Sequence, residues 1–428
     1  MSVEVDAEYL NTMKNIQHLN RLRSLRFGKI LSAEITWFSQ LSNILFLSLK
    51  GCRLVKLPES ICELSSLRYL DISNSKVKEL PNKFWCLYSL QVVDASHSCM
   101  GTIHKDVTKL IKLRQLALPN KASIALSKLP GLGNLSCLRH LRYFTAGNQE
   151  GSIAELKAMN QIRGMLSIKS IHNVNSQEEA STARLVDKKY HKELNLIWRL
   201  NPRTSRLSPH ENEVADGLSP NERIEGLKIH GFWGNRLPSW LNPENLQNLR
   251  RLELSHCFCF ETLSISHFGG GTRGESTGQR ASSSANCSNA SAFLAFTHLT
   301  RISIMHCNGL KNLDQFLSPK NLPSVEVIHL LDCSNLESIP ADFVGFVHLR
   351  DLLLAGCISL VCPQSRETVF PSSLQRLYIN SCGQIDSKSF SFCLEKLTSL
   401  SVLCLVGCDN VESIQLDSIS SRNTLKFL

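Results

Sequence analysis

In the stretch 64–86, LSSLRYLDISNSKVKELPNKFWC, apolar residues fall at Leu64, Leu67, Leu70, Ile72, Val77, Leu80 and Phe84. That spacing fits neither the 3.6-residue period of a helix nor the plain alternation of a strand. It predicts a short strand with Leu70 and Ile72 directed inward. A turn follows, in which Ser75 ties down backbone groups, and Leu80-Pro81 then leads into a returning segment. One such turn cannot bury its apolar edge alone, so it needs a neighbour on each side.

The neighbours are present. The position of Leu70 recurs at Leu47, Val93 and Leu116, and the position of Ile72 at Leu49, Ala95 and Leu118, each 23 residues from the next by number. Inward pairs follow at Leu166/Ile168, Leu194/Leu196, Leu227/Ile229, Leu252/Leu254, Ile302/Ile304, Ile328/Leu330, Leu352/Leu354, Leu377/Ile379 and Leu403/Leu405. With Leu25/Phe27 and an irregular turn near Leu138 and Leu141, the pattern implies about fifteen turns of roughly 20–29 residues. The expected fold is an α/β leucine-rich-repeat solenoid. It should be a curved horseshoe, with one continuous parallel β-sheet on the concave face and irregular or short helical segments on the convex side.

Along the chain, residues 1–18 read as a polar N-terminal segment and 19–145 as regular repeats. Residues 146–262 are more individual. Ser152 with Glu155, and Ser176 with Glu179, have capping-box spacing, and the second should start a helix near 177–189 with Ala180, Ala183, Leu185 and Val186 packed. A loop is expected at 200–210 and a short helix at 211–217. Residues 263–295 hold a Gly/Ser-rich stretch without apolar period, read as a flexible insert. Repeats resume over 296–428, and residues 425–428 look like the start of another strand.

Sixteen cysteines raise the question of disulfides. Cys52, Cys257, Cys307, Cys333, Cys357, Cys382 and Cys408 each lie three places after the second inward residue, where a side chain satisfies backbone groups as the chain leaves the strand. They are expected to be structural and reduced. Zinc is not expected, because no CxxC pair is present. The start, MSVEVDAEYL, has no apolar core, and no apolar run reaches the roughly 18 residues of a membrane span, so a cytoplasmic or nuclear location is expected.

Charge is uneven: residues 1–200 hold 28 Lys+Arg against 16 Asp+Glu, and residues 201–428 hold 19 against 21. Scattered lysines on a solvated face account for this, and the few aromatics argue against nucleic acid. Gly274 to Gly278 matches GxSxG, but it lies in the Gly/Ser stretch and lacks the strand-to-helix turn that activates such a serine. There is no GxxxxGK[ST] loop and no HExxH. No catalytic constellation, metal site or cofactor is expected, and the chain reads as a non-enzyme.

Three stretches are more specific than a generic repeat: 151–174 (GSIAELKAMNQIRGMLSIKSIHNV), 178–198 (EEASTARLVDKKYHKELNLIW) and 213–241 (EVADGLSPNERIEGLKIHGFWGNRLPSWL). They resemble the leucine-rich-repeat region of plant coiled-coil nucleotide-binding disease-resistance proteins, of the kind abundant in grasses. Arg163-Gly164, Asn173-Val174, Lys188-Lys189, Trp198, Gly231, Gly234 and Pro238-Ser239-Trp240 carry the likeness. His191 departs from it, standing where the family has an apolar residue. The likeness covers no nucleotide-binding module, so it brings no nucleotide switch to this chain. It implies recognition of proteins: basic N-terminal repeats contacting a nucleotide-binding module, and a C-terminal concave face sensing a pathogen effector or a guarded host protein. The alternative is an adaptor that selects substrates for a ubiquitin ligase.

Residues beside the inward ones should face the concave side. Toward the C-terminus these are Arg251, Glu253, Arg301, Ser303, Met305, His329, Asp351, Leu353, Arg376, Tyr378 and Asn380. Toward the N-terminus they are Tyr69, Asp71, Val92, Asp94 and Gln115, with Lys50, Lys76, Lys78 and Lys83 nearby. Arg and Tyr are frequent interface anchors, so Arg301, Arg376 and Tyr378 are expected in a recognition surface.

Overall fold

A computed structural model describes residues 2–5, 21–27, 37–147, 152–199, 210–263, 295–361, 370–383, 394, 396–407 and 426–427. The expected Gly/Ser insert lies almost wholly outside the described residues, and Cys408 lies outside them too. The chain divides into an N-terminal unit, Met1–Leu196 with Gly217–Asn221, and a C-terminal unit, Ile197–Asp216 with Glu222–Leu428.

In the N-terminal unit, strands β1 (Ser2–Val5), β2 (Ser24–Phe27), β3 (Phe46–Ser48), β4 (Tyr69–Asp71), β5 (Val92–Asp94) and β6 (Gln115–Ala117) form a parallel sheet in chain order. The segment expected to be merely polar thus contributes a strand, with Val3 paired to Leu25. Leu25, Leu47, Leu70, Val93 and Leu116 stand in one register row. Leu70 and Ile72 are fully buried. Ladder bonds run past the strands, as Ile72 N donates to Asp94 O at 2.7 Å. Pro58 and Pro81 then end the extended path and begin 3₁₀ segments at Glu59–Glu63 and Asn82–Cys86. Proline suits that position because its fixed φ and missing N–H cost nothing there. The first buries Ile61 and the second Phe84 and Trp85, and they close through Leu64 N on Ile61 O and Leu87 N on Phe84 O.

The single continuous sheet expected from the repeats is interrupted. β7 (Tyr143–Thr145) begins a second sheet and has no pairing to β6. The cause is local. Pro119 offers no ladder donor, and the chain folds into helix α1 (Asn120–Leu126), which buries Ala122 and Leu126. Thr145 N then bonds to Ser127 O at 2.9 Å, and their hydroxyls meet at 2.9 Å, so the helix end takes the place of a strand. Leu118 is consequently only half-buried, while Phe144 and Ala146 form the inward pair of the irregular turn.

Strands β8 (Gly164–Lys169) and β9 (His191–Ile197) follow. Between them the expected helix at 177–189 is split into α2 (Gln177–Ser181) and a 3₁₀ turn, Leu185–Asp187. Arg184 takes φ 46°, a left-handed value that ends α-helical bonding. Ala180, Ala183 and Leu185 are buried as expected, but Val186 is exposed. Ser176 Oγ accepts from Glu179 N at 3.1 Å, as a capping residue should. Glu155 does not cap its own segment. Its carboxylate accepts from Gly131 N at 2.9 Å and Gly133 N at 3.0 Å in the previous turn.

His191 fills its apolar position completely buried, and neither ring nitrogen makes a well-formed hydrogen bond. Burial pushes its pKa down to about 4, against a weaker opposing backbone contact at Glu193. The unfolded chain therefore takes up this proton near pH 6.5 and the folded chain only near 4. Stability is intact above about pH 6.5 and should fall between 6.5 and 4, by up to about 3 kcal/mol. His191→Leu should flatten this part of the stability–pH curve. Urea titrations at pH 7.5 and 4.5 check it: an equal loss in the variant would show that other groups carry the effect.

In the C-terminal unit, helix α3 (Glu211–Gly217) precedes β10 (Gly226–His230), β11 (Arg251–Ser255), β12 (Arg301–Met305), β13 (Val327–Leu331), β14 (Asp351–Ala355), β15 (Arg376–Asn380), β16 (Val402–Val406) and β17 (Lys426–Phe427). Successive strands pair in parallel without a slip of register, so Leu252, Ile302, Ile328, Leu352, Leu377 and Leu403 share one buried row. The chain's last segment pairs as expected, Lys426 against Val402. The architecture is a leucine-rich-repeat solenoid.

Candidate functional site

The open face of the C-terminal unit follows from strand alternation and register. Three rows stand on it. The first runs Arg251, Arg301, Val327, Asp351, Arg376, Val402, and the second Glu253, Ser303, His329, Leu353, Tyr378, Cys404. The third runs His230, Ser255, Met305, Leu331, Ala355, Asn380, Val406. Arg251, Arg301, Met305, His329, Asp351, Arg376 and Tyr378 therefore lie on one face.

Their states differ. Arg376 grips the Asp351 carboxylate through Nε at 2.9 Å and Nη2 at 2.8 Å, leaving Asp351 largely covered. Lys228 is ion-paired with Glu253 on the neighbouring strand. Arg301 and Arg376 are exposed, and His329 and Tyr378 half-buried. Burial lowers the His329 pKa. The cations Arg301 and Arg376 add to the shift, and Asp351 opposes it.

The cysteines stand behind this face. Cys257 Sγ reaches Ile229 O at 3.9 Å, Cys307 reaches Leu254 O at 3.8 Å, Cys333 Ile304 O at 3.7 Å and Cys357 Leu330 O at 3.7 Å. Each thiol points at the carbonyl of the second inward residue one turn earlier. Each of these thiols, and Cys382, also lies against the carbonyl two residues before it, Cys257 on Ser255 O at 3.5 Å, Cys307 on Met305 O at 3.4 Å, Cys333 on Leu331 O at 3.5 Å, Cys357 on Ala355 O at 3.7 Å and Cys382 on Asn380 O at 3.5 Å. All these, and Cys52, are free thiols.

The residue just before each ladder cysteine is left-handed: His256 (φ 56°), His306 (54°), Asp332 (51°), Gly356 (66°) and Ser381 (48°). Two histidines at this position were not singled out from the sequence. Their signal is the repeated His-Cys at 256–257 and 306–307. With His230 they form a row of rings, centroids 4.8 Å and 4.5 Å apart.

In the N-terminal unit Tyr69 stacks on Phe46, centroids 4.4 Å apart and planes 13° from parallel. Burial raises the Tyr69 pKa, assisted by Asp71 and Asp94. Asp71 is not the exposed contact residue expected. It is 9% exposed, and it accepts from Ser73 N at 2.9 Å and Ser48 Oγ at 3.3 Å. Its carboxylate braces the turn. Lys50, Lys76 and Lys78 are exposed in the turns, whereas Lys83 sits in the 3₁₀ segment Asn82–Cys86. Among the described residues no group of three or more His, Cys, Asp or Glu is placed to hold a metal ion, and no helix is long and apolar enough to cross a membrane.

The residues that distinguish 151–241 from a generic repeat have structural reasons. Lys188 is buried, and its Nζ donates to Leu156 O at 2.5 Å, Met159 O at 3.5 Å and Asn160 Oδ1 at 3.4 Å, closing the end of the 3₁₀ segment Ile153–Ala158. Asn173 Nδ2 reaches Ala146 O at 3.2 Å. Gly231 has φ 66°, and a Cβ there would come within 2.4 Å of Arg199 O. Trp240 Nε1 donates to Ala215 O at 2.8 Å, and Asp216 accepts from Ser239 N at 2.7 Å.

Residues 153–269 match the family described as R13L1/DRL21 LRRs. RGA1 of Solanum bulbocastanum, named for disease resistance, is 31% identical over 306 residues, 70% of this chain and 27% of that protein. Disease resistance protein RGA2 of the same plant is 30% identical over 136 residues, 30% of this chain and 13% of that protein. RPP13-like protein 1 of Arabidopsis thaliana, also named for disease resistance, is 28% identical over 130 residues, 29% of this chain and 12% of that protein. The chain thus spans about a quarter or less of the length of these relatives. Among solved structures, a Leptospira interrogans LRR protein covers all of this chain and 89% of its own, at 14% identity and TM-score 0.45.

Proposed function

We propose, from the premise that this chain is similar to the leucine-rich-repeat region of plant nucleotide-binding disease-resistance proteins, that it recognises proteins within an intracellular immune receptor. The C-terminal open face senses a pathogen effector or a guarded host protein. The N-terminal turns contact a nucleotide-binding module, in the same chain or another. The observation that carries this reading is the composition of the open face, where Arg301 and Arg376 are exposed and Tyr378 half-buried on register-locked strands. A sheet face serving only as scaffold has no need of guanidinium and phenol groups, which are the side chains that most often anchor interfaces. Lys50, Lys76 and Lys78 supply positive charge in the N-terminal turns.

Co-precipitation with a separately expressed nucleotide-binding module from a related receptor tests the division of labour. Reversing Lys50, Lys76 and Lys78 to Glu should weaken that association several-fold, and salt should weaken the wild-type association further. Replacing Arg301, Arg376 and Tyr378 by Ala should leave it intact and remove the response to a cognate effector. Identical behaviour of the two variants would refute the division.

A further inference from the structure

The strands of the N-terminal unit offer a second surface at their entry ends, away from the turns that hold Lys50, Lys76 and Lys78. Backbone bonds line up the residue before each strand into one column. Leu45 N donates to Arg23 O at 2.8 Å, Arg68 N to Leu45 O at 2.9 Å, Gln91 N to Arg68 O at 2.8 Å and Arg114 N to Gln91 O at 2.7 Å. Arg23, Arg68 and Arg114 thus stand immediately before β2, β4 and β6, and all three are exposed. Among the described residues none of these guanidiniums has a carboxylate partner. The ion pairs of this unit join Lys56 to Glu79, His104 and Lys109 to Asp106, and Arg184 to Asp187. Arg23 Nη1 reaches only a carbonyl, Asn43 O at 3.4 Å. Beside the column runs a half-buried apolar row, Phe46, Tyr69 and Val92, whose first two rings are stacked. Beyond that row Asp71 and Asp94 accept from Ser73 N and Ser96 N, both at 2.9 Å. Folding alone does not ask for arginines in the column. The corresponding column of the C-terminal unit runs Glu225, Arg250, Thr300, Glu326, Arg350 and Gln375, with the two signs mixed.

We propose that this surface docks an acidic amphipathic helix of a partner protein, laid across strands β2 to β6. The inference rests on the protein-recognition reading above and names the chemistry of one partner segment.

Charge complementarity selects the acid. Exposed guanidiniums without carboxylates of their own attract carboxylates, which the planar fork grips through two bonds. Asp71 and Asp94 stand on the opposite flank of the apolar row, so an acidic stripe has one favourable side on which to lie. The apolar row selects an amphipathic partner over a bare polyanion. Phe46, Tyr69 and Val92 gain from being covered by an apolar stripe, which a phosphate chain does not supply. Spacing selects the helix. Parallel strands lie about 4.8 Å apart, so arginines on every second strand stand about 9.6 Å apart. A helix brings residues i and i+7 to one face with a rise of about 10.5 Å, within the reach of a long arginine stem. An extended segment repeats its face about every 6.7 Å, so neither one step nor two matches.

The test uses the full chain and a labelled, terminally blocked helical peptide of about 18 residues, five turns. The peptide carries leucine along one face, glutamate along the stripe beside it and alanine or glutamine elsewhere. Its controls are a scrambled order of the same composition, a version with lysine for glutamate, and a deoxythymidine oligonucleotide of equal length. In anisotropy titrations the helical glutamate peptide should bind, and its affinity should fall about fivefold or more as salt rises from about 50 to about 300 mM. Arg68→Glu with Arg114→Glu should weaken binding about tenfold or more, and Tyr69→Ser several-fold, with circular dichroism unchanged in both. Reversing Lys50, Lys76 and Lys78 to Glu should leave peptide affinity within about twofold at physiological salt, because screening isolates the far ends of the strands. Absence of binding, equal binding of the scrambled or lysine peptide, tighter binding of the oligonucleotide, or full binding by the arginine variant overturns the inference. If that happens while the Lys50, Lys76 and Lys78 variant still loses the nucleotide-binding module, only this surface falls and the recognition reading stands.

Discussion

Replacing Arg199 by methionine is expected to destabilise the C-terminal unit by roughly 3–5 kcal/mol. Arg199 and Glu211 are both almost fully buried and ion-paired with each other. Glu211 also accepts from Trp233 N at 2.7 Å. An ion pair of this kind contributes little net stability while whole, because desolvation offsets the attraction. Breaking it is costly, because it leaves a carboxylate in an apolar setting with one backbone donor. Urea unfolding followed by tryptophan fluorescence measures the loss. The discriminating variant is the double one, Arg199→Met with Glu211→Leu, which should recover most of the stability. If single and double variants are equally unstable, packing of the arginine stem and not the stranded charge is responsible.

Leu354→Ala should cost about 2–5 kcal/mol, the range for an apolar side chain deleted from a close-packed core. Leu354 is 1% exposed and stands in register between Leu330 and Ile379. A solenoid turn touches only its neighbours, so the damage should be local before it is global. Hydrogen exchange should show lost protection first in β13, β14 and β15, with β10 and the strands of the N-terminal unit little changed. Uniform loss of protection across the chain would count against this nearest-neighbour behaviour.

The apolar period determined a great deal without any structure. Leu70, Ile72, Leu330 and Leu354 are inward because a two-residue alternation in a short strand leaves no other way to bury them, and the repeat spacing carries that choice from turn to turn. The cysteine positions were readable for the same reason, since each is tied to the strand before it by sequence distance alone. Arg301, Arg376 and Tyr378 could likewise be placed on one face.

Tertiary structure decided what depends on partners distant in sequence. Asp71 has the outward register of a contact residue, but Ser48, 23 residues earlier, helps to cover its carboxylate. Glu155 has capping-box spacing, yet a stronger pair of donors waits in the previous turn at Gly131 and Gly133. The sheet breaks after β6 because α1 ends where Thr145 finds Ser127, a competition that periodicity does not register. The imidazole row of His230, His256 and His306 comes from three turns of the chain, the last pair 50 residues apart. Only the parallel stacking of strands about 4.8 Å apart brings those rings together.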